Sequence, residues 1–276
     1  VVHFVRFWAK IAIWARSQND YLYENSTAMK DNFSAQAATY ARFRPNYPDE
    51  YIGYVVSFVK DKKRALDVAT GNGQVAEKLA RHFEKVYGTD ISEKQLENAV
   101  QKDNIVYQVA KAEQTDFEGS SFDLITVAQA IHWFEFDAFY KEIYRLLKPD
   151  GIFAVLGYGL FSTNPDSDLL LRKLHREILG PYWDPERRYV DEDYKTIPFP
   201  FDEVKVEEGK FSETFTWDFE HLLGYIASWS ATQHYIRKNG QDPVDLIRGE
   251  LKESWEKGDG KAHFPLLLRI GRKQMP

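Results

Sequence analysis

From Ala65 onward, short runs of apolar and β-branched residues alternate with segments whose apolar positions recur at helical spacing. That alternation is the pattern of a parallel sheet covered on both faces. Strands are predicted at Ala65–Ala69, Val86–Asp90, Ile105–Val109, Phe122–Ala128 and Ile152–Gly157. Helices are predicted at Gln74–Phe83, Glu93–Gln101 and Phe136–Leu147; in the last of these, Phe139, Ile143, Leu146 and Leu147 fall on one stripe. Lys148-Pro149-Asp150-Gly151 should stop that helix and turn the chain into the fifth strand.

The regularity changes after the fifth strand. A helical run near Leu169–Leu179 leads into a loop dense in Pro, Asp and Tyr, and two further strands are predicted at Val204–Phe211 and Phe264–Arg272. A long block of helical pattern, from near Phe219 to near Trp255, separates those two strands. It reads as a helical lid over residues 212–262, inserted before the last strand. The expected fold is therefore α/β and Rossmann-like, a seven-stranded mixed sheet with helices on both faces and that lid.

The amino-terminal stretch reads differently. Val1–Trp14 is apolar and aromatic but interrupted by His3, Arg6 and Lys10, too short and too charged to span a bilayer. It lacks the small-residue cleavage site of a signal peptide. Residues 1–28 are read as an extraneous or flexible extension ahead of a natural start at Met29, with residues 29–276 forming one domain. An interfacial amphipathic helix is the alternative.

Composition narrows the function. The formal net charge of −6 opposes a broad nucleic-acid footprint, which needs a basic face. The absence of cysteine removes disulfides, thiolate metal sites and a cysteine nucleophile together. No metal, nucleic-acid or membrane partner is expected. The anticipated setting is a soluble cytoplasmic protein, monomer or homodimer, acting on a small molecule.

The chemistry concentrates in Asp67-Val68-Ala69-Thr70-Gly71-Asn72-Gly73-Gln74, which leaves an apolar strand, passes two glycines and opens a helix. Glycine is required where backbone must approach a ligand closely. Asp90 ends the second strand, where a carboxylate can accept both hydroxyls of a ribose, so the two elements outline a nucleoside crevice at the carboxyl ends of the strands. Gly71, Gly73 and Ala76 also satisfy the spacing of a dinucleotide fingerprint, so an NAD(P)-dependent oxidoreductase stays open. Charge separates the two cofactors. A carboxylate at Asp67 would repel a pyrophosphate, whereas S-adenosylmethionine (SAM) has no phosphate and carries an ammonium. A SAM-binding protein without catalysis is the third reading.

These residues resemble the type 11 group of class I SAM-dependent methyltransferases, and within it the trans-aconitate methyltransferase-like branch. The resemblance runs from Phe33 to Lys273 and rests on Tyr40-Ala41-Arg42-Phe43-Arg44-Pro45-Asn46-Tyr47-Pro48, on the Asp67–Gln74 loop, on Ala128-Gln129-Ala130-Ile131-His132-Trp133-Phe134, and on Leu146-Leu147-Lys148-Pro149-Asp150-Gly151. It implies a SAM site made of Asp67, Ala69, Gly71, Gly73 and Gln74 around the methionine part, Asp90 and Ile91 at ribose and adenine, and Ala112 and Glu113 at the adenine edge. Gln129, His132 and Trp133 would border the methyl end, and Tyr40 and Arg44 would lie on an amino-terminal cap. The chain departs from the group in carrying Ala69 where a third glycine is usual.

Methyl transfer from a sulfonium needs alignment and water exclusion more than it needs a base. A carboxylate acceptor would call for cations, with Arg44, Arg187, Arg188, Arg237 and Lys238 as candidates. An amine or hydroxyl acceptor would make His132 the proton acceptor, although a histidine in that position is as readily a structural residue. The aromatic residues Trp217, Tyr225, Trp229, His234 and Tyr235 are candidates for closing over the acceptor, with ordinary core packing as the competing role.

Overall fold

The computed structural model describes residues 43–274; the amino-terminal extension and Tyr40 lie outside that range. Helix α1 (Asp49–Ser57) precedes β1 (Arg64–Val68), α2 (Gln74–Leu79), β2 (Lys85–Asp90), α3 (Glu93–Glu97), β3 (Ile105–Val109), β4 (Phe122–Ala128), α4 (Phe136–Leu146) and β5 (Leu147–Tyr158). Then come α5 (Pro165–Arg172), a π-helical turn at Lys173–Ile178, α6 (Arg187–Asp191), β6 (Asp202–Val204) and β7 (Ser212–Thr216). The lid helices α7 (Phe219–Ala227), α8 (Ser230–Asn239) and α9 (Arg248–Lys257) lead into β8 (Lys261–Arg272).

The strands order as β3-β2-β1-β4-β5-β8-β6, with β7 also pairing to β8. β1 through β5 are parallel, while β8 runs antiparallel to β5. The order reverses between β1 and β4, the point at which an open α/β sheet leaves a crevice beyond its carboxyl edge.

Side-chain alternation along the central strands feeds two cores. Ala65, Leu124, Ile152 and Ala154 face the side covered by α1, α2 and the lid. Leu66, Val68, Ile125, Val127, Phe153 and Val155 face α4 and the segment carrying Val190, Tyr194, Ile197 and Phe201. This period of two is what parallel strands buried on both faces require. The predicted stripe of Phe139, Ile143, Leu146 and Leu147 is fully buried.

Two sequence expectations change. The strand predicted at Val204–Phe211 does not form: the chain pairs with β8 in two shorter pieces on either side of it, β6 at Asp202–Val204 and β7 at Ser212–Thr216, so the sheet has eight strands rather than seven. The charged run Glu207-Glu208 and Gly209, at φ +71°, interrupt what would otherwise be one strand. The helices after β1 and β2 are also shorter than their periodicity suggested, ending at Leu79 and Glu97.

The lid starts and stops on local signals. The Asp218 side chain accepts the His221 amide at 2.7 Å to cap α7, and Gly240, at φ +69°, ends α8 in the left-handed conformation common at helix carboxyl ends. Upstream, Asn164 caps α5 with Pro165 in its first turn. Among the described residues no helix is long and apolar enough to cross a membrane.

Candidate active site

Asp67 and Thr126 are register partners on β1 and β4, so both side chains leave the sheet on the lid side, next to each other. Asp67 accepts the Thr126 hydroxyl at 2.7 Å through one oxygen and the Thr70 hydroxyl at 2.6 Å through the other. With 1% of its surface exposed, the carboxyl lies beneath the glycine turn rather than at its surface. The acid read from sequence as lying around the methionine part of SAM is thus a buried carboxyl held by two hydroxyls. Burial pushes its pKa up to about 6; the hydroxyls of Thr70 and Thr126 and the Ala76 amide oppose that rise, and the charge of Asp90 adds to it.

The turn itself is made of left-handed residues: Ala69 at φ +52°, Gly71 at +56° and Gly73 at +81°. Ala69 thus holds the conformation that a third glycine would take without strain. At Gly71 a Cβ would meet nothing nearer than Gln95 Oε1 at 4.0 Å, so the loop faces open space there. At Gly73 a Cβ would lie 2.2 Å from the Tyr107 hydroxyl. Gln74 is the first residue of α2.

Asp90 is partly exposed at the tip of β2, and its Oδ2 and Oδ1 accept the amides of Gly71 and Ser92, each at 2.9 Å. Burial raises its pKa above the usual carboxylate range against these two bonds. Ile91 beside it is 44% exposed, an apolar surface at the crevice mouth. Ala112 is buried, and Glu113 accepts the Glu135 amide, which ties the turn after β3 to the start of α4.

At the end of β4, Gln129 sits at φ +52°. Its Nε2 donates to the Tyr158 carbonyl and its Oε1 accepts the Tyr194 hydroxyl, each at 2.9 Å. Its amide thus joins β4, β5 and the segment after α6, at the strand end expected from sequence to border the methyl end of SAM. His132 is buried in a 3-10 turn at Ile131–Trp133, with Trp133 4.9 Å away between ring centroids and the Tyr194 hydroxyl 3.4 Å from Nδ1. Burial, then the charges of Arg187 and Arg44, push its pKa down to about 3, so its imidazole is neutral and a poor base.

Of the five candidate cations, Arg44 and Arg187 act on His132. Arg44 donates to the Tyr158 hydroxyl at 3.1 Å and to the Ser228 carbonyl at 2.9 Å, bridging β5 to the junction of α7 and α8. Arg188 lies over Tyr189 at the surface, Lys238 over Tyr182, and Arg237 is exposed on α8. Trp217, Tyr225 and Trp229 are buried in the lid-side core, so core packing accounts for them; His234 and Tyr235 are partly buried on α8. Sequence reasoning missed Tyr194, which lies in an irregular segment, and Tyr158, which continues the lid-side face of β5 one residue beyond the predicted strand.

The loop fits SAM. Burial raises the proton affinity of both Asp67 and Asp90, the charge of Asp90 adds to the rise at Asp67, and the turn at Gly71 faces open space. Residues 66–155 match the methyltransferase domain family. A Dictyostelium discoideum protein carrying a methyltransferase name is 33% identical over 257 residues, 90% of this chain and 97% of its own. The chain is a class I SAM-dependent methyltransferase. A solved structure from Anaeromyxobacter dehalogenans, described as a type II methyltransferase, superimposes with a TM-score of 0.77 at 33% identity over 85% of this methyltransferase and all of that chain. A Saccharomyces cerevisiae protein named as an S-adenosylmethionine-dependent methyltransferase is 24% identical over 258 residues, 80% of this chain and 89% of its own. With the family decided, the nicotinamide reading of the glycine turn falls away.

Proposed function

We propose that this methyltransferase acts on a small organic acid and methylates a carboxylate. The observation that carries this reading is the pair of guanidiniums at His132: Arg187, on the helix packed against the His132 turn, and Arg44 both act on its ring. Two guanidiniums near the carboxyl edge of β4 suit an anionic acceptor. SAM, when bound, supplies a methyl group already activated by the sulfonium.

The protein's own share is then alignment and water exclusion. Asp90 is the acid within reach of ribose hydroxyls, and Asp67 supplies a fixed negative charge under the turn. Arg44 ties the lid to β5. His132, with its lowered pKa, does little as a proton acceptor, which disfavours amine and phenol acceptors that would need one. A carboxylate acceptor has no proton to lose. The net charge of −6 supports a small molecule over nucleic acid, and the resemblance to the trans-aconitate methyltransferase-like branch points the same way.

The test is an acceptor screen of carboxylic acids, amines and phenols with SAM, read by mass spectrometry for methylated product. Methyl esters are expected. Turnover confined to amines or phenols would overturn the carboxylate reading.

A further inference from the structure

His175 is not part of any motif in the sequence and has no role in the site described above. It sits in the π-helical turn at Lys173–Ile178, a distortion that marks functional positions more often than ordinary helix does. The side chain is 6% exposed, and neither ring nitrogen has a hydrogen-bond partner among the described residues. A neutral imidazole carries one donor and one acceptor. Leaving both unmet inside a protein is costly enough that such a group calls for an explanation.

Its neighbours supply one. The His175 ring lies 4.7 Å from Trp183 and 5.5 Å from Trp229 between centroids. Trp183 carries Arg187, whose Cζ is 4.7 Å from the indole ring. Trp229 meets Tyr225 at 5.8 Å, and the Arg44 guanidinium is 5.5 Å from the Tyr225 ring. Contacts therefore run Arg187, Trp183, His175, Trp229, Tyr225, Arg44, and the arginines at the two ends are the pair that acts on His132. Helix α6, which begins with Arg187, packs on the His132 turn. The arc thus runs from the helix beside the His132 turn into the lid-side core. Within it, Arg187 uses Nε for Asp191 at 2.9 Å, while its two terminal nitrogens make no hydrogen bond among the described residues.

We propose that His175 is a specificity-determining residue for the methyl acceptor, hydrogen-bonding a polar group of the acid whose charge Arg187 receives. Arg187 offers a fork of donors matched to a carboxylate. His175, a donor and an acceptor at once, reads a neutral polar group or the second oxygen of the acid, and Trp183 and Trp229 hold its ring in place. The inference rests on the carboxylate reading above.

The test uses the full chain saturated with S-adenosylhomocysteine. Binding of trans-cinnamate and of hexanoate is measured by calorimetry, each against its primary amide, for the wild type, His175→Phe, His175→Gln and Arg187→Gln. Wild type should prefer at least one acid over its amide by tenfold or more. His175→Phe should weaken that acid about tenfold with S-adenosylhomocysteine affinity unchanged, His175→Gln should restore part of the loss, and Arg187→Gln should erase the preference for acid over amide. Failure of the wild type to distinguish acid from amide, or to bind either acid, would overturn the carboxylate reading and this inference with it. A retained preference with His175→Phe binding as tightly as wild type would overturn the role of His175 alone, leaving its nitrogens to structural water.

Discussion

The Asp90 carboxylate accepts the backbone amide of Gly71 at 2.9 Å, so the acid at the tip of β2 also holds the glycine turn at the tip of β1. One side chain thereby couples the shape of the cofactor loop to the group proposed to face the ribose. The two contributions are separable by substitution.

Asp90→Ala should weaken S-adenosylhomocysteine binding by about 1–3 kcal/mol through loss of charge-assisted hydrogen bonds. Asp90→Asn keeps an oxygen that can accept the Gly71 amide and should lose less. Calorimetry on the two variants checks this; equal and negligible losses would place the ribose elsewhere.

Asp67 trades stability for cofactor affinity. Its pKa is about 6 in the folded protein against a reference of 3.8, so the folded state holds a proton that the unfolded state has released between those values. On this group's account stability falls as pH rises through that window and stays lower above it. Asp67→Asn should therefore stabilise the ligand-free protein near neutral pH by up to about 2–3 kcal/mol while weakening SAM. In the wild type SAM affinity should drop as pH falls below about 6. Thermal melts and SAM titrations across pH report both; a destabilised Asp67→Asn protein with full SAM affinity would contradict the assignment.

His132 and His175 act with the opposite sign. Burial is the main cause of the low pKa of each, about 3 and about 4. Unfolded imidazoles protonate below about 6.5, so the unfolded state binds the extra protons and stability declines as pH falls from there. Arg187 and Arg176 add to the effect at His175, and Asp191 opposes it. Near pH 5 the His175 contribution is about 2 kcal/mol. His175→Phe should thus lose less melting temperature than wild type between neutral pH and about pH 5; an identical loss would show that His175 already titrates normally.

Gly73→Ala should be among the most damaging single changes in the loop. The new Cβ would sit 2.2 Å from the Tyr107 hydroxyl and 3.0 Å from its Cζ, at a backbone φ of +81°. A cost of about 2–4 kcal/mol is expected from overpacking and left-handed strain together. Adding Tyr107→Phe removes the nearest atom, so the double variant should be less destabilised than the two single losses added together. Denaturant unfolding of all four proteins closes that cycle.

What could be read from the chain alone follows from periodicity and local turn chemistry. β3 and β4 were legible to the residue, β4 because a strand buried on both faces appears as a continuous apolar run, and β3 because a short β-branched run stands between clear breakers. The glycine turn and Asp90 were legible because the positive φ angles at Gly71 and Gly73 and a strand-end acid leave a local signature. The lid block was visible as helical pattern, whereas the short strands β6 and β7 were not, since their pairing is decided by β8 from a distance.

Tertiary structure alone decided the roles. Nothing local says that Asp67 lies under the loop rather than in it, that Gln129 has its amide spent on Tyr158 and Tyr194, or that His132 is too deeply buried to accept a proton at neutral pH. Nor does sequence bring His175 and Arg187 to the same indole, that of Trp183. Period and propensity are properties of neighbouring residues, but burial, charge balance and proton affinity are set by whatever the fold packs against them.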